Sequence, residues 1–235
     1  MPGTEPSPPE RGRQRRRNSM DHPPVVFRLV LLGKTGVGKS SCGNTILGRE
    51  AFREAVGRHC SVTSGCIKQE DKVFGRTVAV VDTPDLFDTT QDDNTLKREV
   101  SKCINMLAPG PHAILLVIRA GIFSAEERDT VRKVEQIFGK DAWTNTMLLF
   151  THGDKVEKNF EMMLEDTGNE LQELLTKAGH RYHVFNNVKA KDRGQVIVLL
   201  EKVEKMVSDN GGHVYSNPTY LQPDDIRITQ TGIDS

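Results

Sequence analysis

The chain has little that would tie it to an oxidising, strongly charged or membrane-embedded setting. It has 4 cysteines in 235 residues. Cys42, Cys60, Cys66 and Cys103 form no CxxC pair and have no histidine at zinc-ligand spacing. This excludes a disulfide-dense scaffold and a zinc ribbon, and reduced thiols in a cytoplasmic protein are the expected state. Long apolar runs are also absent. The longest, "AILLVI" at Ala113 to Ile118, is far short of the roughly 20 residues a spanning helix needs, so no transmembrane segment is expected. The N-terminus lacks the apolar core of a signal peptide. Lys plus Arg (32) balances Asp plus Glu (32), so no net field draws the chain toward polyanions. With aromatics at only 6%, no basic-aromatic platform accompanies the charges, and no nucleic-acid partner is expected.

Apolar periodicity divides the chain. Residues 1–24 are Pro-rich and carry "RGRQRRR", a composition that predicts a disordered arm. Residues 25–210 hold the segments able to form a core, and 211–235 read as an irregular C-terminal tail. "VVFRLVLL" before Gly33, "TVAVVD" at 77–82, "HAILLVI" at 112–118, "TMLLFT" at 146–151 and "YHVFN" at 182–186 suit strands buried on both faces. "CIKQEDKVF" before Gly75 alternates and is more polar, as an antiparallel edge strand would be. Helical periods lie between them. One runs from Ser124 to Gly139, opening with Ser124 and Glu127 at capping-box spacing. Others run through Leu171, Leu174, Leu175 and Ala178, and from Val196 to Val207. This alternation predicts a doubly wound, mostly parallel α/β sheet with right-handed crossovers and one antiparallel edge strand.

The most informative stretch is "GKTGVGKS", Gly33 to Ser40, between a buried strand and a helix. It fills every fixed position of the phosphate-binding loop G-x-x-x-x-G-K-[ST]. Gly33, Gly36 and Gly38 let the backbone wrap, so that N–H groups from Lys34, Thr35 and Val37 onward to Ser41 face an anion. Lys39 is placed to neutralise β- and γ-phosphates, and Ser40 to give a hydroxyl to Mg²⁺. Asp82, ending "VVD", supplies the acid that this fold places near Mg²⁺, acting through water. Asp154, just past "LLFT", is placed to accept both N1–H and N2–H of guanine. Adenine lacks both donors and would leave that carboxylate unpaired, so GTP and GDP are expected rather than ATP.

At these residues the chain resembles the immunity-associated GTPases, relatives of septins and of chloroplast import GTPases. The resemblance rests on "GKTGVGKSSCGNTILG", "SVTSGC", "VVDTPDLFDT", "APGPHAILLVIRAG" with "FSAEE", "LLFTHGD" and "FNN". It covers about Phe27 to Asn210 and implies a P-loop G domain that pairs with a second copy, or with an effector, across the nucleotide. It also implies that Thr63 is the switch residue closing on Mg²⁺ and the γ-phosphate, with Ser61 and Ser64 as alternatives. Asn187, or Asn186 beside it, takes the place of the loop that packs on the base. His152 stands where guanine-specific GTPases usually carry lysine, and its ring can stack on the base instead.

Two departures from common GTPase patterns argue for slow turnover. After "DTP" many GTPases have glycine and then a water-orienting glutamine, but this chain has Asp85 and Leu86. Asp85 adds negative charge at the γ-phosphate, and Leu86 cannot orient water. After the "PGPHAILLV" box the family often has an arginine, where this chain has Ile122; Arg119 is the nearest substitute. The expected function is a GTP-gated interaction switch. The alternatives are a dimer- or partner-activated GTPase with substantial turnover and, more remotely, an ATP-binding P-loop protein.

Overall fold

The computed structural model describes residues 26–53, 65–85, 93–121, 125–156, 160–165 and 168–216, without the side chains of 93 and 125–131. Thr63, Leu86, Ile122, Ser124 and the arm 1–24 lie outside the described residues. The strands are β1 (Phe27–Leu32), β2 (Ile67–Val73), β3 (Arg76–Asp82), β4 (Ala113–Arg119), β5 (Thr146–Thr151) and β6 (Tyr182–Val184). They form one six-stranded sheet in the order β2-β3-β1-β4-β5-β6. All neighbours pair in parallel except β2 with β3, which is the expected antiparallel edge. The helices are α1 (Lys39–Leu47), α2 (Asp93–Asn105), α3 (Ala125–Phe138), α4 (Phe160–Glu165), α5 (Asn169–Lys177) and α6 (Gly194–Asp209).

The apolar runs form the strands because each strand serves two cores. Alternate residues of β1 divide cleanly: Val30 and Leu32 pack with α2, α3 and α5, while Leu29 and Leu31 pack with α1 and α6. β4 divides the same way, with Ile114 and Leu116 on the first face and Leu115 and Val117 on the second. A strand buried on both faces has no polar side to show, which accounts for its continuous hydrophobicity. β2 has only β3 as a neighbour and shows an exposed or half-buried pattern, with Val73 alone fully buried.

The family-like box at Ala108–Val117 has a structural task. His112 is buried and bonds twice to Arg28 of β1: its N–H donates to the Arg28 carbonyl at 2.8 Å, and the Arg28 N–H donates to the His112 ring nitrogen Nδ1 at 3.0 Å. Burial, with the Arg28 charge added, pushes His112 down to about 4, so it stays neutral and its Nδ1 remains an acceptor. The Arg28 guanidinium donates to the Gly110 carbonyl at 2.7 Å. Gly110 (φ +151°) lies against the Tyr215 carbonyl, where a Cβ would come within 2.0 Å of the oxygen. Tyr215 is 3% exposed, and its hydroxyl donates to the Phe138 carbonyl at 2.6 Å. Residues 211–216 are thus irregular in backbone yet anchored, and the packed unit runs past residue 210.

One expectation is corrected. Cys66 and Cys103 form a disulfide, with Cα atoms 5.4 Å apart. It joins the residue before β2 to the last turn of α2, an apposition that no cysteine spacing announces. Cys42 is buried and forms no disulfide with a described residue. Closing a loop with a separation of 37 residues stabilises a domain by about 2–4 kcal/mol. Alkylating the unfolded, unreduced chain is therefore expected to leave Cys66 and Cys103 unlabelled in mass spectra until a reductant is added. Labelling of both before reduction would contradict the pairing.

Candidate functional site

The site is built at the carboxyl ends of β1, β3 and β5, where a doubly wound sheet presents its loops. The chain leaves β1 at Leu32 and turns immediately at Gly33 (φ +149°), where a Cβ would sit 2.6 Å from the Val117 carbonyl on β4. Only glycine lets the loop pass that close. Gly38 (φ +98°, left-handed) then starts α1, and its carbonyl accepts the Cys42 N–H at 2.9 Å. Lys34 is half-buried, Thr35 and Gly36 are exposed, Val37 is buried against the α1 face of the core, and Ser41 sits half-buried in the first turn.

Lys39 is 8% exposed, and its Nζ is held by the loop it serves. It donates to the Gly33 carbonyl at 2.7 Å and to the Lys34 carbonyl at 2.9 Å. Burial pulls its pKa down, opposed by the charges of Asp82, Asp85 and Cys42. The Ser40 hydroxyl donates to Asp82 Oδ2 at 2.6 Å. Asp82 is 1% exposed, and its other oxygen, Oδ1, is buried with no hydrogen-bond partner among the described residues. Burial raises its pKa, while the Ser40 hydrogen bond and the Lys39 charge oppose the rise. An unmatched buried carboxylate oxygen is costly unless a ligand or water meets it. Beside a serine hydroxyl it suits Mg²⁺, a hard cation that keeps waters and takes few protein ligands. Among the described residues no group of three or more His, Cys, Asp or Glu side chains is placed to hold a metal ion by itself.

The base side is fixed by residues that the sequence reading did not single out. Thr151 ends β5 fully buried, and its hydroxyl donates to the Val37 carbonyl at 2.7 Å. This bond ties the phosphate loop to the strand that carries His152 and Asp154. The hydroxyl has one proton, so at 3.0 Å His152 Nδ1 is the donor to Thr151 Oγ1. Burial first, then the charges of Arg119 and Lys155, holds His152 below its ordinary pKa against the pull of Asp154, so the ring stays neutral. His152 is left-handed (φ 59°), which reverses the chain into the short 3-10 turn Gly153–Lys155 and leaves Asp154 exposed at its centre. Gly153 permits this, since a Cβ there would lie 2.7 Å from Val184 on β6. Thr83 is a second buried hydroxyl of this kind, donating to the Leu31 carbonyl at 2.7 Å beneath the loop.

Arg119 closes β4 opposite Thr151, so its charge lies on the His152 side of the site. Asn187 turns its side chain onto α1: Oδ1 accepts from Thr45 at 2.8 Å, and Nδ2 lies 3.5 Å from Cys42 Sγ. Asn186 instead caps its own turn by accepting the Lys189 N–H at 3.1 Å. Arg193 completes the brace by donating to the Thr45 and Ile46 carbonyls at the end of α1. Asn187 and Arg193 therefore tie the loop after β6 to α1. Asp85 faces the loop from the other side, its Oδ2 accepting the Thr35 N–H at 3.0 Å.

Solved structures share this frame. Toc33 from Arabidopsis thaliana, in complex with GDP and Mg²⁺, superposes with a TM-score of 0.61 at 18% identity, covering 78% of this chain and 85% of that one. Era from Aquifex aeolicus gives 0.54 at 17% identity, covering 75% of this chain and 56% of that one. Identities this low establish the fold, a P-loop G domain. Sequence relatives are nearer. Human GTPase IMAP family member 8 is 35% identical over 194 residues, covering 81% of this chain and 29% of the relative. Immune-associated nucleotide-binding protein 9 of Arabidopsis thaliana is 38% identical over 213 residues, covering 85% of this chain and 61% of the relative. The chain thus spans from under a third to about three-fifths of these relatives' lengths. A match to the AIG1 family runs over residues 27–231, and the chain belongs to that family.

Proposed function

We propose that the chain is a guanine-nucleotide-binding switch that binds GTP and GDP with Mg²⁺, hydrolyses GTP slowly on its own, and pairs through its nucleotide face. The observation that supports this is the Thr151–Val37 bond, which ties the phosphate loop to the strand end that carries the His152–Asp154 turn. Lys39 neutralises the β- and γ-phosphates, and the N–H groups of residues 34–41 cradle them. Ser40 holds Mg²⁺ directly and Asp82 holds it through water, with Thr63 completing the set when GTP is bound. Bound there, Mg²⁺ would supply positive charge against the phosphates. Asp154 accepts the two guanine N–H donors, the neutral His152 ring lies against the base, and the loop anchored by Asn187 closes behind it.

Slow turnover follows from what faces the terminal phosphate. Asp85 is acidic and Leu86 cannot align a water, so the chain supplies Lys39 but no placed nucleophile. In the alternative reading, a dimer-activated enzyme, pairing would add such groups from a second copy. Toc33, which shares the fold, has an arginine variant described as dimerisation-deficient, and its dimerisation is described as important for GTPase activity. No described helix is long and apolar enough to cross a membrane. The cytosol, where nucleoside triphosphates are supplied, is the location that fits this role.

Turnover per molecule, measured across a wide range of protein concentration with and without Arg119→Ala, tests the reading. Slow, flat turnover with GTP bound in both chains is the expected result for a switch. Specific activity that climbs at least about tenfold with concentration and collapses in the variant would instead make Arg119 a group working in trans and the protein a dimer-activated enzyme.

A further inference from the structure

Asp85 lies three residues beyond Asp82, just past the end of β3, on the mouth of the phosphate loop. Its carboxylate is the hydrogen-bond partner of the Thr35 N–H, at 3.0 Å. Thr35 stands in the middle of the loop, on its exposed side, next to Gly36, where a Cβ would meet nothing within 4 Å. Main-chain donors in such a loop are the groups that receive phosphate oxygens. The Lys39 ammonium, pinned to the Gly33 and Lys34 carbonyls, feels the Asp85 charge together with that of Asp82. A carboxylate thus already sits on a donor, and in the field of the cation, that an incoming phosphate needs. Such a charge-assisted N–H···O⁻ bond is among the stronger hydrogen bonds a loop can make.

We propose that Asp85 is a built-in competitor for the terminal phosphate and sets the chain's preference for GDP over GTP. This rests on the guanine-nucleotide reading above and adds the selection between its two ligands. GDP leaves the outer donors of the loop to Asp85, so the Thr35 contact persists. GTP brings a γ-phosphate that must displace the carboxylate from Thr35 and then lie beside its negative charge. Both effects weaken the triphosphate alone, which is what a state-selecting residue has to do.

The test uses the full chain with Mg²⁺, titrated with GDP and with the non-hydrolysable analogue GMPPNP, alongside Asp85→Asn and Asp85→Gly. Asparagine keeps the size and an acceptor oxygen but loses the charge, whereas glycine removes the side chain. The expected result is a rise of about 10- to 100-fold in GMPPNP affinity in both variants, with GDP affinity within about threefold of the native value. Retained GDP binding also shows that the variants are folded. A GMPPNP-to-GDP ratio unchanged within threefold, or GMPPNP binding that weakens, overturns the inference. Failure of the native chain to bind either nucleotide would overturn the guanine-nucleotide reading beneath it, a distinct and separately visible outcome.

Discussion

Asp154→Asn is expected to lower GTP affinity by about 100-fold or more and to make xanthosine triphosphate the better ligand. In the proposed site the carboxylate takes two guanine N–H donors, and each hydrogen bond to a charged group is worth about 1.5–3 kcal/mol. Asparagine offers one acceptor and sets an N–H₂ against a guanine donor. Xanthine has a carbonyl at that position, which an amide can meet. Asp154 is exposed at the centre of the Gly153–Lys155 turn, and Gly153 keeps its own bond to the Phe185 carbonyl at 3.0 Å. The substitution therefore changes the reader while leaving its support in place. Competition binding with GTP, xanthosine triphosphate and ATP checks it. An unchanged preference for GTP would assign base reading to another group.

The second large effect is expected at Lys39, where alanine should cost GTP and GDP alike about 100- to 1,000-fold in affinity. The ammonium is buried, so its attraction to phosphate is weakly screened. It is also held in position by two carbonyls before any ligand arrives, which spares the ordering cost of a free lysine. Lys39→Arg should not rescue binding. A planar guanidinium does not fit between the Gly33 and Lys34 carbonyls as a compact ammonium does. Titration with a fluorescent guanine nucleotide, paired with thermal melts to show that the fold persists, measures the loss. Affinity within threefold of native would remove Lys39 from the binding site.

The sequence disclosed most where one segment carries its own signal. "TMLLFT" is a strand over the same six residues, Thr146–Thr151, because every one of its side chains is buried. The phosphate loop likewise is local, and Gly33, Lys39 and Ser40 fall where their spacing put them. α2 was passed over, although Leu96, Val100, Cys103 and Ile104 make a buried stripe at helical spacing. That stripe is narrow and sits within "DNTLKREVSKCIN", whose polar majority conceals it. Missing α2 also hid the Cys66–Cys103 pair, since only the packing of that helix brings the two residues together.

What escaped at the site was its bracing. Thr151 and Val37 are 114 residues apart, and Thr45 and Asn187 are 142 apart. No periodicity relates partners so distant, because the crossovers of the sheet create the contact. One signal was present all the same. A hydroxyl ending an otherwise apolar buried strand needs a partner, and Thr151 in "LLFTHGD" is such a hydroxyl. Asn187 illustrates the reverse case: the family resemblance points it to the base, while its side chain bonds to α1.

In the proposed function one site reads both the phosphates and a guanine base. The most direct test is an equilibrium titration of the purified chain with GTP, GDP and ATP in the presence of Mg²⁺, repeated with EDTA. The account predicts saturable, one-to-one binding of both guanine nucleotides. It also predicts at least about 100-fold discrimination against ATP and weaker GTP binding once Mg²⁺ is chelated. Equal affinity for ATP and GTP, or no binding of either guanine nucleotide by a folded chain, would contradict it.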